Sequence, residues 1–211
     1  MSEYGYIPEA PEQSFGNNKG IFNPKDIYDL TRADKYTNYG QLELIKTQTA
    51  SSDSELIFDD IKEDIYNVHF LTVNDYQPSG NGIELMMRFY ENGVKETASV
   101  YQSAYQYGAT GNLGFAESKS TGFNRLRACF STGNGTGVSG NSYNYLYNLG
   151  DSTKYSFQTL HLTLMNQTPV ILMAFGSGVL PQASTVDGIS LAPLSGTFSA
   201  DVSLYGIKEY S

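Results

Sequence analysis

Between Ile83 and Tyr90 apolar side chains occupy every second position, Ile83, Leu85, Met87 and Phe89. That period of two puts them on one face of a β-strand. Asn92-Gly93 follows at once. An Asn-Gly pair after an alternating run is the sequence of a type I′ hairpin turn, because both residues tolerate positive φ. The same texture recurs downstream. Tyr155 to Met165 alternates with Leu160, Leu162 and Leu164 facing in, and Tyr143, Tyr145 and Tyr147 alternate in another strand. From Gln41 onward about ten strands follow one another at the 8–12-residue spacing of a β-sandwich or jelly roll.

The remaining strands are expected at Gln41–Thr49, Glu55–Phe58, Ile65–Val73, Val94 to about Tyr107, Arg125–Phe130, Val170–Phe175, Val186–Leu191 and Val202–Ile207. Ile65–Val73 has apolar residues on both sides, as for a strand buried on both faces, and Val170–Phe175 is nearly continuously apolar. Two Gly-rich stretches, 108–122 and 131–142, read as long surface loops. Composition agrees: 17 Tyr, 11 Phe and 21 Gly in 211 residues, with only 17% charged. A helical bundle would be rich in Ala, Glu, Lys and Leu, and a disordered chain poorer in aromatics.

Residues 1–40 differ. Pro8, Pro11 and Pro24 punctuate them, and aromatics are scattered without alternation. One short helix is predicted from Pro24 to about Ala33, with Asn23 as N-cap, Pro24 at the first position and Ile27 and Leu30 on one face. Such a segment frays unless it docks. Its anchors are expected to be Tyr4, Tyr6, Phe15, Phe22, Ile27, Tyr28 and Leu30, dropping into separate pockets of a partner. The chain therefore reads as an attachment arm, 1–40, and a β-sandwich domain, 41–211.

With 13 basic against 22 acidic residues the net charge is −9. Such a chain neither neutralises phosphates nor is drawn to an anionic bilayer, so no nucleic-acid or membrane partner is expected. Asp53, Glu55, Asp59, Asp60, Glu63 and Asp64 crowd one segment, but without the Asp-x-Asp-x-Asp-Gly spacing of a calcium loop. They read as a solvated face. Neither Gly-rich stretch carries a phosphate-binding pattern. The N-terminus lacks a signal peptide, and no apolar run approaches the roughly 20 residues of a membrane span. Synthesis in a cytoplasm is expected.

No catalytic or metal site is predicted. Cys129 is alone and reads as a buried thiol, and His69 and His161 as hydrogen-bonded strand residues. Glu84 and Glu117 are carboxylates that a glycan hydrolase would need in one cleft, though nothing in the sequence fixes their spacing. No cofactor is expected. The strongest binding feature is the tyrosine stripe Tyr143, Tyr145, Tyr147, joined by Tyr101, Tyr105 and Tyr107. A tyrosine offers an apolar ring with a polar tip, which suits a subunit interface or a sugar. Cross-strand stabilisation of the sheet is the simpler use.

Two stretches carry a resemblance. One is Tyr6-Ile7-Pro8-Glu9-Ala10-Pro11 through Asn17-Asn18-Lys19-Gly20-Ile21-Phe22, continuing at Asn38-Tyr39-Gly40-Gln41-Leu42-Glu43-Leu44-Ile45. The other is Phe175-Gly176-Ser177-Gly178-Val179-Leu180-Pro181-Gln182-Ala183-Ser184-Thr185, then Ser195-Gly196-Thr197-Phe198 and Leu204-Tyr205-Gly206-Ile207. Together they resemble virion structural proteins of marine tailed phages, cyanophages included. The resemblance implies a jelly-roll-like antiparallel sandwich displayed on the particle as a capsid decoration or short tail-attached fibre. It implies attachment through the amino-terminal segment, with other capsid or tail proteins as partners. A homo-oligomer is expected, trimers being the anticipated stoichiometry. A host surface glycan is the alternative ligand, read by a receptor-binding adhesin module. The resemblance carries no catalytic motif.

Overall fold

The computed structural model describes residues 13–14, 17–18, 24–32, 41–111, 114–168 and 170–209. The chain divides into two units, Met1–Gln41 and Leu42–Ser211. In the first, β1 (Gln13–Ser14) pairs antiparallel with β2 (Asn17–Asn18), and α1 spans Pro24–Arg32. Proline begins the helix because its missing N–H is one of the donors left unpaired at a helix start. Asp26 and Arg32 sit at the ends that suit their charges. Lys25 and Asp29 pair at 2.8 Å one turn apart. No helix residue is buried: Ile27 and Tyr28 are exposed and Leu30 is half-buried. Tyr4, Tyr6, Phe15 and Phe22 lie outside the described residues.

The second unit carries β3 (Leu42–Asp53), β4 (Leu56–Phe58), β5 (Val68–Pro78), β6 (Ile83–Glu91), β7 (Val94–Lys95), β8 (Tyr101–Ala109) and β9 (Ala116–Phe123). It continues with β10 (Leu126–Thr132), β11 (Gly140–Tyr147), β12 (Ser156–Met165), β13 (Ile171–Leu180), β14 (Val186–Pro193) and β15 (Phe198–Ile207). They form an eight-stranded sheet, β3-β15-β5-β11-β12-β13-β8-β9, and a five-stranded one, β10-β6-β14-β4 with β7 beside β6. All pairings are antiparallel. Within them β3-β15-β5-β11 faces β4-β14-β6-β10, and the chain crosses between the layers as a jelly roll does. The hairpins β8–β9 and β12–β13 are insertions that widen one sheet.

The core lies between the layers. Phe58, Leu71, Val73, Leu85, Met87 and Phe89 are among its fully buried members. Asn92 (φ 53°) and Gly93 (φ 72°) both take positive φ, the turn their sequence predicts. The return strand differs from expectation. It is not one run from Val94 to Tyr107: β7 ends at Lys95, and the chain changes sheets before β8. The stretch 108–122 is not a loop either. Most of it is β8 and β9, and only a short tip joins them.

The strand expected to be buried on both faces is buried on one, and the nearly continuous apolar strand β13 is likewise buried on one face only. In β5 His69, Leu71 and Val73 point inward, while Val68, Phe70 and Thr72 are half-buried on the outer face. Ile65 lies before the strand and is exposed. In β13 Leu172 and Ala174 are buried, while Ile171, Met173 and Phe175 are exposed. Gly206 lies inside β15, and a Cβ there would sit 2.3 Å from the Tyr66 ring, so glycine makes room for that ring.

His69 is fully buried, its Nε2 2.7 Å from the Ile61 carbonyl oxygen and its ring edge-on to Tyr66. Burial pushes its pKa below the ordinary 6.5. As pH falls through 6.5 the unfolded chain takes up a proton that the folded chain refuses, so stability is lost until the lower folded value is reached. Glu91, raised by burial and by Glu96 and Asp187, acts in the opposite direction above 4.5. Comparing variants isolates the histidine. Urea titrations at pH 7.5 and 5.5 are expected to show a smaller acid-induced loss in His69→Gln than in the unsubstituted protein. An equal loss in both would contradict this account.

Candidate functional site

The outer face of the large sheet is the feature the fold leaves unexplained. Register fixes three rows of outward side chains. The middle row runs Tyr205, Phe70, Tyr145, Thr159, Ser177, Ala104. On one side lie Ile207, Val68, Tyr147, Phe157, Val179 and Gln102, and on the other Ser203, Thr72, Tyr143, His161, Phe175 and Gln106. No Asp, Glu, Lys or Arg occupies any of these positions, in a chain with net charge −9. A solvent-facing antiparallel sheet ordinarily alternates apolar inside with polar or charged outside. Here Tyr143, Phe157 and Phe175 are 42%, 43% and 39% exposed. Leu42, Leu44, Ile171, Met173 and Phe115 extend the apolar area at its margins. Charge returns at the borders, with Glu117–Lys119 on β9 (2.9 Å) and Asp201 on β15, which accepts from Thr49 Oγ1 at 2.6 Å.

The face has relief. On β15, β5 and β11 the aromatic rings make a ridge. Phe70 lies 4.8 Å from Tyr145, 6.0 Å from Tyr143 and 6.2 Å from Tyr205, centre to centre. Tyr145 and Tyr147 stack at 6.5 Å, and Tyr143 meets His161 at 5.2 Å. On β13 and β8 the outward residues of the middle row, Ser177 and Ala104, are small, while Phe175 and Val179 flank them on β13. Ala104 and Ser177 are part of the lining of an open trough of about 640 Å³, with Phe157 and Val179 at one side and Lys119 at the other. A smaller groove of about 260 Å³ runs beside Tyr143, lined by Phe70, Thr72, Asn74, Asn141, His161 and Thr163 among others.

The expected tyrosine cluster is divided by this arrangement. Tyr143, Tyr145 and Tyr147 stand on the outer face. Tyr101 and Tyr105 do not join them: both are buried between the layers, and Tyr107 packs at the core margin. Their hydroxyls have structural work there, Tyr101 accepting from the Phe89 amide at 3.0 Å and Tyr105 from the Arg127 amide at 3.3 Å. Phe70 and Tyr205, placed beside the stripe by register, were not legible as members of the site. Their strands lie far apart in sequence from β11.

Other sequence candidates have local partners. Cys129 is fully buried, and burial pushes its thiol up to about 12, so it stays protonated and unreactive in the folded chain. His161 is on the exposed face with Tyr143. Glu84 pairs with Arg127 at 3.0 Å and Glu117 with Lys119, so each carboxylate faces a base. In the acidic segment Asp59 pairs with Lys46 at 3.0 Å, Asp60 with Lys62 at 3.0 Å, and Glu55 with Lys95. Among the described residues no group of three or more His, Cys, Asp or Glu is placed to hold a metal ion. None of the described helices is long and apolar enough to cross a membrane. The stretch 131–142 is tied to β5, Gln77 Nε2 donating to the carbonyl oxygens of Gly135 (3.2 Å) and Val138 (3.3 Å).

The chain matches no protein-family model, no curated protein and no solved structure.

Proposed function

We propose that the chain is a structural protein of a tailed-phage virion, held to the particle through residues 1–40 and displaying its jelly roll as a capsid decoration or short tail-attached fibre. The observation that carries this reading is the uncharged aromatic face of the large sheet. Exposed apolar patches of this breadth mark surfaces that are covered by another protein in the working state. A virion component has such neighbours by design, and the resemblance at both ends of the chain points to the same setting. The test is made on particles. Mass spectrometry of gradient-purified virions is expected to find the chain, and labelled antibody to decorate the particle surface. Deleting residues 1–40 should leave a folded sandwich in the lysate and remove it from particles. Absence of the chain from virions, or normal incorporation of the truncated form, would defeat the proposal.

A second reading has its own observation. The groove beside Tyr143 combines aromatic rings with the side-chain amides of Asn74 and Asn141, a pairing that suits the apolar face and hydroxyls of a sugar. On this reading the module is a receptor- or glycan-binding adhesin of the tail. A glycan array with the purified chain tests it, and loss of host adsorption in particles lacking the protein would support it.

A further inference from the structure

We propose that two copies of this chain pair through the outer face of the large sheet, the aromatic ridge of each seated in the trough of the other, about a two-fold axis that runs along β12. The inference rests on reading that face as an assembly surface and names its occupant.

Relief is the first argument. The ridge occupies β15, β5 and β11 and the trough β13 and β8, on opposite sides of β12. Rotation by half a turn about an in-plane axis parallel to β12 turns the face onto itself and exchanges the two sides. Ridge then meets trough twice. In the middle row Tyr145 of one copy comes over Ser177 of the second, and Phe70 over Ala104, large over small; in the flanking rows Tyr147 comes over Val179 and Tyr143 meets Phe175 ring to ring. A contact that is self-complementary in this way is isologous and closes at two copies. Two sheets so apposed pack about 10 Å apart with side chains interdigitated, as the two layers of a sandwich do.

Charge is the second argument. Copies with net charge −9 repel one another wherever their acidic surfaces approach. The three rows are the broad area where they meet without that penalty, because neither ridge nor trough carries an acid. Lys119, at the trough's outer edge, comes opposite Tyr205 of the second copy's β15, and the Glu117 paired with it comes opposite Ser203.

Area is the third. Six strands about 4.8 Å apart and three rows about 6.7 Å apart mark out, with the breadth of their side chains, roughly 600 Å² of sheet. The marginal Met173 and Phe115 bring it toward the ~800 Å² per partner of a standard stable interface. An oligosaccharide would cover only the groove beside Tyr143 and leave the rest of the face wet.

Thr159 stands on the axis, exposed, in the middle row. Thr159→Glu therefore sets two carboxylates against each other, and Thr159→Lys two ammonium groups. The full chain is studied by sedimentation equilibrium across the micromolar range, with near-UV circular dichroism to confirm the fold. The unsubstituted chain is expected to be a dimer. Each variant alone is expected to weaken pairing at least about a hundredfold and run as a monomer. An equimolar mixture of the two should regain the dimer mass, since Glu then faces Lys. A monomeric unsubstituted chain overturns the proposal, including the case in which residues 1–41 already cover the face. So does an oligomer, trimer included, whose mass ignores both variants. A monomer whose tyrosine fluorescence titrates with soluble maltodextrin or chito-oligosaccharide overturns it in favour of a glycan ligand. None of these results bears on whether the chain is found in virions, so this proposal and the virion assignment fail separately.

Discussion

Gly176→Val is expected to destabilise the sandwich by about 3 kcal/mol, lowering the thermal midpoint by roughly 6–12 °C for a domain of this size. Gly176 lies in β13 between β12 and β8, paired with Leu160 and Tyr105. A Cβ added there would lie 2.3 Å from the Ala104 carbonyl oxygen and 2.7 Å from the Tyr105 Cα and ring. Two of these neighbours are backbone atoms of the adjacent strand. They are held by the ladder and cannot swing aside, so the strand itself must shift. Tyr105 is in turn packed edge-on against Phe130 at 5.4 Å, so the displacement spreads into the core. Gly178 in the same strand is the comparison. A Cβ there would lie 2.4 Å from the end of the Leu126 side chain, which has rotamers to move into. Gly178→Ala should therefore cost clearly less than Gly176→Ala in urea unfolding. Equal costs would show that strand geometry, and not the named contact, sets the penalty.

The second large effect is expected at Gln158, the polar tie between the layers. Its side chain is fully buried. Nε2 donates to the Arg127 carbonyl oxygen across the sandwich at 2.7 Å and to Asn144 Oδ1 within its own sheet at 2.8 Å, while Oε1 lies 3.4 Å from the Tyr105 hydroxyl. Gln158→Ala removes all three and opens a cavity, for a cost of about 2–4 kcal/mol. Gln158→Met refills most of the volume but still strands the Arg127 carbonyl and Asn144, so most of the loss should persist. If Gln158→Met were as stable as the unsubstituted chain, the network would be packing filler. A double variant with Asn144→Leu should recover part of the loss, because a buried polar group without its partner is costlier than neither.

Strand-level structure was legible where local chemistry decides it. The Asn92-Gly93 turn, the inward leucines of β12 and the proline-started helix each depend on residues within a few positions of one another. What escaped the sequence depends on partners far along the chain. Tyr101 and Tyr105 alternate just as Tyr143, Tyr145 and Tyr147 do, and period two cannot say which side is core. The distinction comes from packing across the sandwich, where Phe89, Phe130 and Gln158 receive the first pair. The strand β9 was hidden for another reason. As an edge strand, carrying Glu117, Ser118, Lys119, Ser120 and Thr121 in a row and bonded on one side only, it has the exposed polar composition of a loop. The uncharged face defeated the pattern differently. An apolar outer surface made β5 look buried on both faces and β13 nearly continuously apolar, when only one face of each meets the core. The ridge itself exists only once β15, β5 and β11 are neighbours, which a linear reading does not place together.

One pairing in the fold bears on how the sandwich carries load. Leu42, where β3 begins, is the cross-strand partner of Ile207, where β15 ends. The polypeptide thus joins and leaves the sandwich at one corner, on adjacent strands. A body attached this way hangs beside the line of tension instead of lying in it. Force between the two ends would peel β3 from β15 one hydrogen bond at a time, whereas force between opposite ends would shear the whole ladder together. The same closeness lets a short linker join position 207 to 42 and new ends be opened at a distant turn such as Asn92-Gly93, a circular permutation that keeps every strand neighbour unchanged.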